Sequence, residues 1–137
     1  MRDERRRISV IGDGGWGTTL SVLLSKKGYE VTIWGAFPDY IEVLKSGREN
    51  IKFLPGIKIP EAINITSSLE GALDKRGIII LAIPSQFMRG VVTMLKMYDL
   101  SNKVFVSVAK GIENKTLKRM SEVIEEVLGK FPIAVLS

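Results

Sequence analysis

A glycine-rich segment near the N-terminus constrains this chain more than any other feature of its sequence. Gly12, Gly14 and Gly17 stand in the pattern G-x-G-x-x-G, directly after an apolar, β-branched segment at residues 8–11. Residues 16–27, which follow, carry apolar side chains at helical spacing. A strand, a tight glycine turn and a helix in this order predict a loop that binds the phosphates of a dinucleotide at the helix N-terminus.

Each glycine of this turn has a physical role in the prediction. Gly12 permits the tight turn, Gly14 allows the backbone to approach a pyrophosphate, and Gly17 lets the helix pack close to the strand. The first free N–H groups of the helix, near Gly15 and Trp16, would point at the phosphates with the helix dipole behind them. The alternative is a structural glycine turn without a ligand. The candidate cofactor-binding residues of the turn are Gly12, Asp13, Gly14, Gly15, Trp16 and Gly17.

Short β-branched segments alternate with segments of helical periodicity along the rest of the chain. Two predicted strands, residues 78–83 and 104–108, are apolar on both faces, as expected when helices cover both sides of a parallel sheet. The alternation predicts right-handed βαβ crossovers and a single-domain α/β fold with a doubly wound, mainly parallel sheet, the Rossmann fold. The predicted strands are residues 8–11, 31–34, 63–66, 78–83, 104–108 and 133–136. The predicted helices are residues 16–27, 38–46, 69–74, 86–97 and 116–128.

Several local details complete the predicted fold. Ser67 or Ser68 would cap the third helix, and Ser85 would cap the fourth. Residues 48–60, punctuated by proline and glycine, are predicted to form an irregular loop. The apolar faces of the first and last helices, which are predicted to pack on the sheet, consist of Trp16, Leu20, Leu23, Leu24, Leu117, Met120, Ile124, Val127 and Leu128.

Composition and charge narrow the classes of function. The 137 residues suffice for one domain with a core, and no apolar segment approaches the ~20 residues of a membrane-spanning helix. The chain has no cysteine and no histidine, so neither disulfides nor the commonest metal ligands are available, and no metal site is expected. The net charge is +5, and four of the arginines lie within residues 1–7, which favours a solvated lead-in over a nucleic-acid surface. We expect a cytoplasmic protein, without membrane insertion or a nucleic-acid partner.

Further candidate ligand groups follow predicted strands, because ligands of such sheets bind at the carboxyl ends of the strands. Residues 34–39 offer neither an acid in place for the ribose 2′-OH of NAD nor an arginine for the 2′-phosphate of NADP, so the preference stays open. The missing acid also disfavours a methyl donor that carries adenosine. Pro84 and Phe87 follow the fourth strand and would border the cofactor, although Phe87 suits the core of the next helix equally well. Lys110 follows the fifth strand and either reaches an anionic substrate group or is simply solvated.

Together these segments resemble the NAD(P)-dependent glycerol-3-phosphate dehydrogenases over residues 8–137. The glycine turn is similar to that family's G-x-G-x-W-G-[TS] motif. Residues 48–56, with the sequence RENIKFLPG, are similar to its E-N-x-x-[FY]-L-P-G loop. Shorter matches are residues 83–86, 109–111 and 121–124, and the order and spacing of all these segments make the resemblance specific.

The resemblance implies an oxidoreductase that transfers a hydride between NAD or NADP and dihydroxyacetone phosphate or sn-glycerol 3-phosphate, a precursor of phospholipid synthesis. It implies that Gly15 and Trp16 meet the cofactor phosphates and that Ala36, with Phe37 beside it, lies at the adenosine ribose. Lys110 would contact both the cofactor and the phosphorylated substrate. The loop of residues 48–56 would lie beside the cofactor cleft or serve a purely structural role.

The family's substrate loop, its proton-transferring lysine and its phosphate-binding arginine would follow residue 137. We therefore expect residues 1–7 to be a charged lead-in and 8–137 to be the cofactor domain, separated from a C-terminal helical domain that would be its partner. Such a fragment would bind cofactor weakly or moderately and without turnover, since Lys110 alone cannot both donate a proton and clamp a phosphate. No catalytic residue is predicted within the chain, and a homodimer is a further expectation. The alternatives are a stand-alone nucleotide-binding module and the cofactor domain of a 6-phosphogluconate or ketopantoate reductase.

Overall fold

The computed structural model describes residues 6–136, and six strands of this range form one parallel sheet. Its strand order is β5-β2-β1-β6-β7-β8, so the chain begins at the centre, winds to one edge and then crosses to the other. This order confirms the predicted doubly wound sheet. The strands are β1 (Arg7–Ile11), β2 (Glu30–Trp34), β3 (Glu49–Asn50), β4 (Leu54–Lys58), β5 (Asn64–Thr66), β6 (Ile78–Leu81), β7 (Val104–Ser107) and β8 (Ile133–Val135).

Helices cover both faces of this sheet. They are α1 (Gly15–Lys26), α2 (Pro38–Gly47), α3 (Leu69–Leu73), α4 (Met88–Leu95) and α5 (Met120–Leu128), with a 3₁₀ turn at Ser85–Phe87. Side chains alternate along β6, so that Ile80 packs with the residues of α1 and α2 while Ile79 and Leu81 pack with those of α3, α4 and α5. Within the described range, none of the helices is long and apolar enough to cross a bilayer.

The buried face of α1 differs from the predicted one. Trp16 and Leu23 are 53% and 50% exposed, whereas Thr18 and Ser21 are fully buried beside Leu20. The Ser21 hydroxyl donates a hydrogen bond to the carbonyl of Gly17 at 2.8 Å, which satisfies it inside the interface. Small side chains occupy this face because the N-terminal part of α1 lies very close to the sheet.

The last helix begins later than its periodicity predicts. α5 starts at Met120, and Leu117, predicted to face the core, is 70% exposed with a left-handed φ of 59°. A turn precedes the helix, in which the Glu113 N–H donates to the Lys118 carbonyl at 2.8 Å. Met120 and Ile124 are buried as predicted. The prediction was wrong at Leu117 because the apolar spacing of the helix extends back into the turn, where the chain is not helical.

Residues 48–60 form a hairpin, not the irregular loop that was predicted. β3 and β4 pair antiparallel with a shift of register, and the Ile59 N–H donates to the carbonyl of Arg48 at 2.7 Å. The Arg48 guanidinium donates to the carbonyl of Ile63 at 2.7 Å and so ties the base of the hairpin to the chain before β5. Strands of two and five residues with mostly exposed side chains carry too little alternation to be recognised from sequence.

One of the two predicted helix caps is present, and the predicted lead-in ends before Arg7. Ser68 caps α3, since its hydroxyl accepts a hydrogen bond from the Gly71 N–H at 3.2 Å. Ser85 begins the 3₁₀ turn and caps no helix, so α4 starts only at Met88. Of the predicted lead-in of residues 1–7, residues 1–5 lie outside the described residues, and Arg7 is the first residue of β1.

The contact between α1 and the sheet leaves no room for a side chain at Gly17. A Cβ atom there would lie well under 3.0 Å from the carbonyl oxygen of Gly12 and 3.3 Å from the Cβ of Ala82. At Gly90, in the middle of α4, a Cβ would meet no atom within 4 Å. The same substitution should therefore have opposite effects in the two helices.

We expect Gly17→Ala to lower the free energy of unfolding by about 2 kcal/mol or more, because the turn or the sheet must shift to admit the methyl group. Gly90→Ala, the matched control, should raise it by roughly 0.5–1 kcal/mol, since alanine restricts the unfolded chain and fits the helix. Urea unfolding followed by circular dichroism measures both. Equal effects of the two substitutions would contradict the close contact at Gly17.

Candidate functional site

A cleft of about 1130 Å³ opens at the carboxyl ends of β1 and β6. These neighbouring strands are followed by connections that run to opposite sides of the sheet, which makes this the topological switch point where ligands of such sheets bind. Every residue predicted to bind cofactor lines the cleft, namely Gly12, Asp13, Gly14, Gly15, Trp16, Gly17, Ala36, Phe37, Pro84, Phe87 and Lys110.

The glycines of the turn divide into those that pack and one that faces open space. Gly12 has a φ of 131°, and a Cβ there would lie well under 3.0 Å from the carbonyl oxygen of Ala82. A Cβ at Gly15 would lie 2.7 Å from the carbonyl oxygen of Phe53 in the hairpin. A Cβ at Gly14 would meet no atom within 4 Å. Gly14 is therefore the point at which a ligand can approach the backbone of the turn.

The N-terminus of α1 opens into the cleft without a side-chain cap. Gly14 is the N-cap residue, no side chain accepts from the first turn, and that turn contains no acidic residue. The Thr18 N–H donates to the Gly14 carbonyl at 3.0 Å, so the backbone N–H groups that precede it in the turn have no partner within the helix. These donors and the helix dipole make the position favourable for an anion.

Aromatic side chains and two opposite charges complete the lining. Trp16, Phe37 and Phe87 are all more than half exposed, so Phe87 lies at the cleft and not in the helix core, the alternative considered for it. Flat apolar groups of this kind can pack against the rings of a nucleotide. Among the described residues that line the cleft, Lys110 is the only basic one and Asp13 the only acidic one.

Asn50 joins the hairpin to the glycine turn, a role that the sequence did not reveal. Its fully buried side-chain amide donates from Nδ2 to the carbonyl of Asp13 at 2.8 Å and to the hydroxyl of Thr18 at 2.9 Å. Its Oδ1 accepts from the Tyr40 hydroxyl and from the Phe53 N–H at 3.3 Å. One amide thus holds the turn, the hairpin and α2 in a fixed relation.

The only signal for this contact was the motif in which Asn50 stands. Residues 48–56 carried the family resemblance, and the structure places Phe53 of this segment in the lining of the cleft. An asparagine followed by exposed Ile51 and Lys52 gives no local indication that it is buried.

The carboxyl group of Asp13 lies against Gly35, at the end of β2. A Cβ at Gly35 would be 2.8 Å from the Cγ of Asp13 and closer still to its Oδ2. Oδ2 is enclosed and has no hydrogen-bond partner within residues 6–136. Burial raises the pKa of the Asp13 carboxyl, while a bond from its own backbone N–H and the positive charge of Lys52 act in the opposite direction.

The strand order and the glycine turn at its switch point define a Rossmann-type domain. The sequence profile of the family described as NAD-dependent glycerol-3-phosphate dehydrogenase N-terminus matches residues 7–137. The chain therefore belongs to this family, which confirms the resemblance and decides against a reductase of the 6-phosphogluconate or ketopantoate type.

Individual relatives agree with this assignment. The chain is 47% identical over 122 residues to the glycerol-3-phosphate dehydrogenase (NAD(P)+) of Chlorobium phaeobacteroides, covering 89% of this chain and 37% of that protein. It is also 47% identical over 133 residues to the protein of the same name from Fusobacterium nucleatum, covering 96% and 40%. The crystal structure of glycerol-3-phosphate dehydrogenase from Coxiella burnetii superposes with a TM-score of 0.89 at 27% identity, covering 96% and 40%. The chain spans about two fifths of the length of these relatives.

We expect Asn50→Ala to lower the free energy of unfolding by about 2–4 kcal/mol, because it leaves the buried Thr18 hydroxyl and several partly buried polar groups without a partner. Tyr40→Phe, which removes only the hydroxyl bond to Oδ1, should cost about 1 kcal/mol. Urea unfolding of the two variants measures both values. Equal costs would show that Asn50 does not hold the turn.

Proposed function

We propose that this chain is the cofactor-binding part of an oxidoreductase and binds NAD or NADP in the cleft at the ends of β1 and β6. The observation that carries the proposal is the open space at Gly14, where the uncapped N-terminus of α1 meets the cleft. A pyrophosphate is an anion that can accept hydrogen bonds from several N–H groups at such a helix end.

The strand order indicates how the two halves of a dinucleotide would lie. β2 and β6 pair with opposite edges of β1, so phosphates on the turn after β1 would lie between the groups that follow the other two strands. We place the adenosine beside Ala36 and Phe37, after β2. The nicotinamide would lie toward Pro84 and Phe87, after β6.

The substrate would be a small phosphorylated molecule, for which Lys110 is the candidate binding residue. Lys110 follows β7, which pairs with β6, so it stands on the nicotinamide side of the cleft. The nicotinamide, when bound, supplies or accepts the hydride. Since the relatives are named glycerol-3-phosphate dehydrogenases, we propose that the whole protein interconverts sn-glycerol 3-phosphate and dihydroxyacetone phosphate, in the supply of phospholipid precursors.

Four further expectations from the sequence stay predictions. They are the lack of turnover by this chain alone, the helical C-terminal domain as its partner, the cytoplasmic location and the homodimer.

The two tryptophans of the chain, Trp16 and Trp34, both line the cleft and can report on binding. We expect NADH or NADPH, added to the chain, to accept excitation energy from them with saturable emission. Gly14→Val should weaken binding at least about tenfold, because its side chain occupies the space through which the phosphates approach. The variant should still fold, since no protein atom lies within 4 Å of the new Cβ.

Gly47→Val is the matched control, because it introduces the same side chain at an open position at the end of α2, away from the cleft. It should bind as the unmodified chain does. Failure of both NADH and NADPH to bind at millimolar concentration would contradict the proposed function. Unchanged binding by Gly14→Val would place the phosphates elsewhere.

A further inference from the structure

The end of β2 lacks the group that usually reads the adenosine ribose in this fold. In a Rossmann domain an acid at that position accepts the ribose 2′-OH of NAD, whereas an arginine nearby accommodates the 2′-phosphate of NADP. Here β2 ends at Trp34 and is followed by Gly35, Ala36 and Phe37. Asp39, the next acid, is exposed in the first turn of α2 and is not part of the lining of the cleft.

Asp13, in the glycine turn after β1, places a carboxyl group at this position. Its Cγ lies 2.8 Å from where a Cβ of Gly35 would stand, so the carboxyl group occupies the space in which a side chain at the end of β2 would begin. This arrangement requires glycine at residue 35. Gly35 cannot satisfy the carboxylate, because its N–H already donates to the Thr66 carbonyl at 3.1 Å.

The Asp13 carboxyl has unused capacity to accept a hydrogen bond. Oδ2 has no partner in residues 6–136, and the residue lines the cleft as its only acidic member among those described. Oδ2 itself is enclosed by the protein, but a carboxylate with one oxygen lacking a donor is unusual in a folded protein and gains from a donor at the part of the group that faces the cleft. A ribose hydroxyl is such a donor, whereas a phosphate at neutral pH offers only acceptors and negative charge.

Lys52 carries the positive charge that lowers the pKa of the Asp13 carboxyl, against the effect of burial. Its Nζ lies 5.1 Å from the ring centroid of Phe53 and 6.0 Å from that of Tyr40, on the exposed side of the hairpin. It does not belong to the lining of the cleft, unlike Asp13. Because Phe53 lines the cleft, the Lys52 ammonium is near it and offsets part of the negative charge of Asp13.

We propose that Asp13 selects the cofactor, accepting a hydrogen bond from the adenosine ribose and repelling a 2′-phosphate, so that the cleft prefers NAD(H) to NADP(H). The inference rests on the proposed function, because it requires the adenosine to lie beside Ala36. The glycine turn would thus distinguish NAD from NADP, which a residue at the end of β2 usually does in this fold. Gly35 is also required for this selection, since any side chain there would displace the Asp13 carboxyl group.

The test compares dissociation constants of NADH and NADPH, measured by energy transfer from the tryptophans, in the unmodified chain and in Asp13→Asn. The unmodified chain should bind NADH at least about tenfold more tightly than NADPH, because like charges a few ångströms apart in a partly buried site repel strongly. Asp13→Asn keeps the shape and an acceptor oxygen but removes the charge. It should bring the two constants to within about threefold, mainly through tighter binding of NADPH.

Two further variants separate Asp13 from the general charge of the protein. Asp39→Asn makes the same change of net charge outside the lining of the cleft and should leave the ratio unchanged. Lys52→Gln should raise the preference for NADH. Competition by AMP and by adenosine 2′,5′-bisphosphate, which differ only in the 2′-phosphate, should reproduce the pattern without the nicotinamide half. Thermal unfolding verifies that each variant is folded, and Asp13→Ser replaces Asp13→Asn if the latter is not.

The possible results distinguish this inference from the proposed function. Binding of both cofactors with equal affinity by the unmodified chain, or an unchanged ratio in Asp13→Asn, would overturn the selection by Asp13 and leave the cofactor site intact. An equal effect of Asp39→Asn would assign the preference to Asp39 or to net charge and would also overturn it. If neither cofactor binds, the proposed function fails, and this inference fails with it.

Discussion

The rest of the site depends on the contact between the glycine turn and Ala82, the residue that follows β6. Gly12 brings the chain against the carbonyl of Ala82 with a backbone conformation that side chains rarely adopt, and Gly17 brings α1 against the same turn. A side chain at either position would push the helix away from the sheet. Because the helix lies so close, its uncapped N-terminus reaches the carboxyl ends of β1 and β6, where the cleft opens.

A second set of contacts holds the turn from the opposite side. Asn50 bonds to the carbonyl of Asp13 and the hydroxyl of Thr18, and the carbonyl of Phe53 lies directly over Gly15. The hairpin therefore presses on the turn while β6 supports it. Only Gly14 is free of both, so the space for a ligand is what remains after the other glycines have been used for packing.

The two charges of the lining stand on different sides of the turn. Asp13 leans toward Gly35 at the end of β2, whereas Lys110 follows β7, beyond β6 in the sheet. A dinucleotide lying across the ends of these strands would meet the negative charge at its adenosine ribose and the positive charge near its reactive end. This separation suits a cofactor with a free 2′-OH and a substrate that carries a phosphate.

The sequence by itself determined the parallel sheet and the strand–turn–helix unit at Gly12, because β-branched segments, helical periodicity and glycine spacing are local patterns. It also predicted the residues that line the cleft, since the ends of adjacent parallel strands must meet at one edge of the sheet. It did not predict the hairpin, the polar face of α1 or the turn at Leu117, where packing overrides local apolar spacing. Only the tertiary structure decided that Asn50, 37 residues from Asp13, is its partner, and that the Asp13 carboxyl lies at Gly35. Such contacts join residues far apart in the chain, and their geometry exists only once the sheet has set the register of its strands.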